Sequence, residues 1–326
     1  SPHFGPNKRI FATERMRTAT GRGSDDAATD LISMTLDGKA IRTHATSPLA
    51  TVIQISPTGS HVAYREAGRL YAAALPATGR SVTLSSVADI DSGPSAFATE
   101  RISASGGEFI KWSRDGQALT WSIGPRFMQY RIDASLGTAK NQAEMLADLS
   151  LSVPSDKPEG SVALTNARII TMNADRDTID NGMVIVEGNR ISFVGIHDET
   201  KIPAAAKRID LEGKTLLPGY IDAHAHGPYG RDDIIPQNNW SLLAHLALGV
   251  TTVHNPSSRA AQAFPAAEYQ RAGKTLGPRI FSTGEIIYGA KSTGFDPIES
   301  LDDAKAVVDR LKAQGAISVK NYNQPR

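Results

Sequence analysis

Residues 216–227 read LLPGYIDAHAHG. An apolar run interrupted by Pro218 and Gly219 leads into Asp222, His224 and His226. In an extended strand residues i and i+2 point the same way, so the two imidazoles aim together. Such a pair can occupy neighbouring positions on one metal ion, at about 2.0–2.1 Å per bond for zinc. Asp222 points along with them, placed to orient an imidazole or to approach the site from below. Taken alone, His-x-His is a weak signal, because strand histidines often only satisfy a backbone carbonyl. The rest of the chain decides how to read it.

Downstream the rhythm is strand, helix, strand, helix. After the first strand comes NWSLLAHLALG, with Leu242, Leu243 and Leu246 on one face and Gly249 as its stop. Strand VTTVHN follows, then RAAQAFPAAEYQRAG, whose Pro265 must lie near the helix start or kink it. Strand PRIFSTG precedes a helix from Ser300 with Leu301, Ala304, Val308 and Leu311 on one stripe. The last strand is AISVKNY, with Ile317, Val319 and Asn321 on one face and Ser318, Lys320 and Tyr322 on the other. The strands are apolar on both faces, as in a parallel sheet covered by helices. Four βα units in this order predict the first half of a (β/α)₈ TIM barrel over 218–326. His224 and His226 then sit at the carboxyl end of the first strand, the catalytic mouth of that fold.

Upstream, 161–217 reads as a small β-sandwich domain of short strands, with EGNR from Glu187 as a hairpin turn. Residues 151–161, LSVPSDKPEGS, read as a linker. Within 1–155 two stretches echo one another, VIQISPTGSHVAYREAGRLYAAALP from Val52 and FIKWSRDGQALTWSIGPRFMQYRID from Phe109. Each has a strand, a Ser-x-x-Gly turn, a second strand, a break and a third strand. A weaker echo runs over 31–46. Alternation such as His61, Val62, Ala63, Tyr64 marks half-buried strands. Repeats of this kind predict β-propeller blades, with an ordinary β-sandwich as the alternative. The fold class is therefore multidomain: a partial all-β propeller, a small β-sandwich, then half a barrel. The Gly-x-Gly of GRGSDD at Gly21 lacks a strand–helix context and reads as a loop.

Composition limits the chemistry. The chain has 326 residues, a formal net charge of +1 and no cysteine. Near-neutral charge gives no case for nucleic acid or an anionic membrane surface. Thiolate metal sites are excluded, so a metal must rest on histidine, carboxylate or a modified side chain. No apolar run approaches a membrane span.

LLPGYIDAHAHG resembles the first-strand signature of the amidohydrolase superfamily, and GVTTVHNPSS from Gly249 resembles its second-strand motif. GKTLLPG after a small β domain is similar to that family's lead-in. The resemblance covers 161–326, and the upstream units resemble TolB-type, WD40-like propeller repeats found in one of its subgroups. It implies one or two divalent ions, commonly zinc, and hydrolysis of amide or other C–N bonds, sometimes esters, in small-molecule substrates. It also implies a CO₂-derived carbamate on a fourth-strand lysine that bridges the ions, and Lys320 is the matching residue. A lone ammonium in an apolar strand is costly, which favours such a modification. A lysine reaching solvent past the strand end, or paired with a carboxylate, is the alternative. His254 stands where many relatives have arginine, so it is either a substrate or supporting group or a plain loop histidine. Tyr288 is expected to line the pocket. His245 reads as structural or solvated, and His3, His44, His61 and His197 as bystanders.

The resemblance also implies later ligands: histidines on the fifth and sixth strands and an aspartate on the eighth. None follows Arg326, so the chain is expected to be a piece of a longer protein without turnover of its own. The leading expectation is a dipeptidase- or prolidase-like hydrolase of non-peptide C–N bonds. An imidazolonepropionase-like cyclic-amide hydrolase and a non-catalytic propeller scaffold for protein partners are the alternatives. A periplasmic or secreted location follows from the subgroup alone, and a homo-oligomer stays open.

Overall fold

The computed structural model describes residues 2–15, 28–66, 68–77, 79–84, 97–103, 105–132, 136, 142–230, 234–288, 298 and 300–322. GRGSDD at Gly21 lies outside them. The chain forms two compact units. The first comprises 1–151, 256–264 and 282–326, the second 152–255 and 265–281. This division differs from boundaries at 155 and 217, because the last helix and strands pack on the N-terminal sheets.

The first unit opens with three sheets in chain order. One joins β1 (His3–Phe4), β2 (Ile10–Arg15), β3 (Thr29–Met34), β4 (Arg42–Ser47) and β8 (Val82–Thr83). The next orders β5 (Ala50–Ile55), β6 (His61–Glu66), β7 (Arg69–Ala74) and β9 (Thr99–Ser103). The third orders β10 (Glu108–Trp112), β11 (Ala118–Ile123), β12 (Arg126–Arg131) and β13 (Glu144–Asp148), all antiparallel.

The predicted strand–turn–strand–break–strand units correspond to β5–β6–β7 and β10–β11–β12. Their turns repeat in atomic detail. Gly59 N–H donates to Ser56 O at 2.9 Å, and Gly116 N–H to Ser113 O at 3.0 Å. The Ser56 hydroxyl accepts from His61 N–H at 3.1 Å and that of Ser113 from Ala118 N–H at 2.9 Å. In the weaker echo Gly38 N–H donates to Thr35 O at 2.9 Å. The three glycines have φ of +78°, +77° and +73° at Gly38, Gly59 and Gly116, the left-handed backbone a tight turn needs.

Alternation along the middle sheet serves two cores rather than one. Val62, Tyr64, Tyr71 and Ala73 pack with Phe11, Leu31 and Ile53. Ala63, Leu70 and Ala72 pack with Ile110, Leu119, Trp121 and Tyr130. The middle sheet is thus covered on both faces. Half-burial, the expectation from sequence, fails at β6 and β7 because a neighbouring sheet lies on each side.

The first unit also holds β22 (Ile287–Tyr288), α3 (Leu301–Gln314) and β23 (Asn321–Tyr322), with β22 and β23 parallel. The buried stripe of α3 is Val307, Arg310 and Leu311, whereas Leu301 is 71% exposed. The expected stripe of Leu301, Ala304, Val308 and Leu311 is rotated, because α3 also turns a charged face toward the sheets. Ser300 caps its start and Gly315, at φ +115°, ends it.

The second unit contains one mixed five-stranded sheet where a sandwich was expected. It orders β16 (Arg190–Ile196), β15 (Thr178–Glu187), β14 (Ser161–Ile170) and β17 (Lys207–Asp210), with β18 (Thr215–Leu216) also on β14. The EGNR hairpin joins β15 and β16. A second sheet orders β19 (Tyr220–Asp222), β20 (Val250–Asn255) and β21 (Arg279–Ser282), with β19 and β20 parallel. Helices α1 (Trp240–Ala247) and α2 (Ala260–Arg271) connect these strands. Pro265 lies in the second turn of α2. Leu242 of α1 is buried, and Gly249 follows it at φ +83°.

Strands β19, β20 and β21, of which the first two are parallel, with α1 and α2 between them, fit the first part of the expected barrel in part. The fourth predicted strand pairs with β22 instead of extending that sheet. It also shrinks to two residues, leaving Ile317 68% and Val319 49% exposed. The predicted linker is strapped down: Asp156 N–H donates to Ala272 O at 2.9 Å and Lys274 Nζ to the Asp156 carboxylate at 2.5 Å. Among the described residues no helix is long and apolar enough to cross a membrane.

Candidate metal centre

The strand carrying the histidines is shorter than the sequence suggests. β19 ends at Asp222, yet backbone pairing continues as Ala225 N–H donates to His254 O at 3.0 Å. Ala225 points inward and is 5% exposed. His224 and His226, on either side of it, are exposed. The alternation expected from His-x-His therefore holds beyond the regular strand. The two rings lie with centroids 5.1 Å apart and planes at 73°. Among the described residues no side chain hydrogen-bonds either ring, so their nitrogens are available to an incoming ion.

Asp222 does not orient an imidazole here. Its carboxylate accepts the backbone N–H of His224 at 3.0 Å, fixing the turn that sets the His224 side chain. Three residues absent from the sequence reading hold the loop that follows. Tyr229 is 2% exposed and its hydroxyl hydrogen-bonds Asn255, itself 1% exposed. Burial pushes the Tyr229 hydroxyl pKa up, the Asn255 bond opposes this, and the Asp222 charge adds to it. Asn239 donates to Pro228 O at 2.7 Å while its oxygen caps α1 by accepting from Ser241 N–H at 3.0 Å. The cap was readable as an Asn before a helical run; the Tyr229–Asn255 bond had no local signal.

His254, the last residue but one of β20, is half-buried, and its carbonyl holds Ala225. It lies in the same unit as Asp222, His224 and His226. Lys320 and Tyr288 belong to the other unit. There Tyr288 stacks on Tyr322 at 5.9 Å and 25°, and Lys320 Nζ lies 5.6 Å from the Tyr322 ring centre. Ile287 N–H donates to Lys320 O at 2.8 Å. Among the described residues no group of three or more His, Cys, Asp or Glu side chains could hold a metal ion. Two imidazoles with ring centroids 5.1 Å apart are donors of the chemistry a divalent ion takes.

No family model matches the chain. In sequence it is similar to an imidazolonepropionase of Arthrobacter sp. (strain FB24), 37% identical over 67 residues, 20% of this chain and 16% of that protein. It is also similar to a 5-methylthioadenosine/S-adenosylhomocysteine deaminase of Symbiobacterium thermophilum, 32% identical over 65 residues, 20% and 15% of the two chains. Both are enzymes. In structure it overlaps a putative prolidase from Bifidobacterium longum at 26% identity and a TM-score of 0.39, covering 51% of this chain and 41% of that one. The chain spans about one sixth of the length of the curated relatives it matches.

Proposed function

We propose that the chain carries the opening part of a metal-dependent amidohydrolase, which hydrolyses carbon–nitrogen bonds other than ordinary peptide bonds in small molecules. The observation that carries this reading is the His224–His226 pair, side by side past β19 with rings 5.1 Å apart. His224 and His226 would hold a divalent ion, zinc first, which would supply a bound water of pKa about 7 and polarisation of the scissile carbonyl. Asp222 fixes the His224 backbone, and Tyr229, Asn239 and Asn255 keep the loop from collapsing over the rings. His254 borders the site. By the family resemblance Lys320 would be the residue to carry a carbamate, and Tyr288 the residue expected near a substrate.

A dipeptidase- or prolidase-like substrate is the first choice, because Lys320 matches in sequence the fourth-strand lysine that the resemblance implies for such relatives. A cyclic-amide substrate is the second, favoured by the imidazolonepropionase similarity. In this reading the N-terminal sheets are blades of a propeller, and the protein works in the periplasm or outside the cell.

Titration with cobalt(II), followed by its visible absorption, tests the assignment. His224→Ala and His226→Ala are each expected to weaken binding at least about ten-fold, since each removes a direct ligand. The same affinity in both variants would remove the pair from the site.

A further inference from the structure

The two-stranded pair β22–β23 is too short to hold itself in place, since an isolated two-stranded element is marginal in water. It nevertheless carries Tyr288, Lys320 and Tyr322. The segment leading into β23 is gripped by the N-terminal sheets of the same unit, and the one leading into β22 is tied to the start of α2. On the β23 side, α3 is anchored by Asp303. Its carboxylate pairs with Arg69 of β7 at 2.7 Å, with side chains only 17% and 6% exposed, and lies 3.8 Å from Arg101 of β9. Further along α3, Arg310 is 8% exposed and approaches Gly106, where an added Cβ would lie 2.9 Å from its Nη1. Ala313 packs on the core around Trp121, and its carbonyl would lie 2.7 Å from a Cβ at Gly124. The helix is thus held along its length by three strands and a hairpin turn.

On the β22 side the grip is Glu285, two residues before Ile287. One of its oxygens accepts the N–H of Ala260, the first residue of α2, at 2.9 Å. Ser258 N–H donates to Gly284 O at 3.0 Å beside it. The charge of Glu285 is felt by Glu108 of β10, which is paired with Arg65 of β6. Burial first, then Glu285, push the Glu108 carboxyl up, while Arg65 and Arg259 pull it down.

We propose that the N-terminal sheets position the β22–β23 pair through Asp303, while Glu285 ties β22 to the start of α2. What the pair serves rests on the amidohydrolase reading of Lys320; the grip itself does not. The sheets then do more than accompany the hydrolase-like segment: they set where Lys320 and the stacked tyrosines stand.

Hydrogen exchange on the full chain tests this at the Ile287 amide, which is bonded to Lys320 O. Asp303→Ala and Glu285→Ala are each expected to speed exchange there at least about ten-fold, leaving amides between β14 and β15 unchanged. Acetylation of Lys320 by an N-hydroxysuccinimide ester should change with it, relative to exposed Lys39. Asp303→Glu, which keeps the charge, is expected to restore most of the protection. If Asp303→Ala does not fold, Asp303→Asn gives the same readout. Unchanged Ile287 protection would overturn the proposal. So would equal acceleration at β2–β3, which signals general loosening. Cobalt binding by His224→Ala reads the functional assignment alone, so the two can fail separately.

Discussion

Trp121→Ala is expected to lower the stability of the first unit by about 3–5 kcal/mol, the cost of emptying an aromatic site in a packed core. Trp121 is 1% exposed and sits among Leu70, Ile110, Leu119 and Tyr130. Its ring also presses on the backbone: a Cβ added at Gly107 would lie 2.2 Å from it. The surroundings cannot collapse easily, because β7 is held from its other side by the core around Tyr64 and Tyr71. Trp121→Phe separates volume from polarity. The indole N–H is buried with no hydrogen-bond partner among the described residues, so phenylalanine removes an unsatisfied donor along with some volume. Its cost should be less than half that of alanine. Urea denaturation followed by far-ultraviolet circular dichroism measures both. An alanine variant within about 1 kcal/mol of the parent would mean that this core does not support the unit.

The second large effect lies at Gly219. A Cβ there would meet Thr251 Cγ2 at 2.2 Å, Oγ1 at 2.3 Å and Cβ at 2.8 Å. Rotation of Thr251 moves the first two atoms but not the third. Gly219→Ala should therefore push β19 away from β20 and cost about 1–3 kcal/mol, the range for overpacking. Because Tyr220 N–H bonds Gly249 O at 2.8 Å next to the clash, the strand that presents His224 and His226 moves with it. Cobalt affinity should fall in parallel with stability. Thr251→Gly in the Gly219→Ala background removes the collision, and a double-mutant cycle should recover most of the loss. No recovery would place the strain elsewhere. The same geometry explains the glycine of LLPGYID in terms of space: the residue before the strand faces its neighbour's side chain at closer than van der Waals distance.

Those residues show what was legible in the sequence. The order of strands and helices after Pro218 was readable, because short apolar runs alternate there with longer segments that have helix stops or stripes. That His224 and His226 share one side was readable too, since a two-residue repeat survives where regular pairing ends; their exposure was not, because the sequence reading aimed them into a barrel. Strand lengths were not. An apolar run such as AISVKNY predicts a buried strand only if neighbours exist to cover it, and β23 has β22 alone. The stripe on α3 was misread for a related reason. Its buried face includes Arg310 and borders Asp303, and a hydrophobic pattern cannot announce a face buried through charge. The linker looked loose because it is rich in Pro and Ser, yet Asp156 binds Ala272 and Lys274, more than one hundred residues away in sequence. The Tyr229–Asn255 bond was not legible because it joins a loop to the end of β20.

The turns at Ser56, Ser113 and Thr35 carry a consequence for how such a chain can change. Each closes through its first residue, its glycine, the backbone and its third side chain, since Thr58, Asp115 and Asp37 hydrogen-bond the hydroxyls of Ser56, Ser113 and Thr35. The second residue is Pro57, Arg114 or Leu36. That side chain is therefore the interchangeable part on a fixed hinge. A copied turn arrives already able to fold, and its tip can be rewritten without touching the cores below. The sheets can thus acquire new surface chemistry one turn at a time, at positions the interior does not constrain.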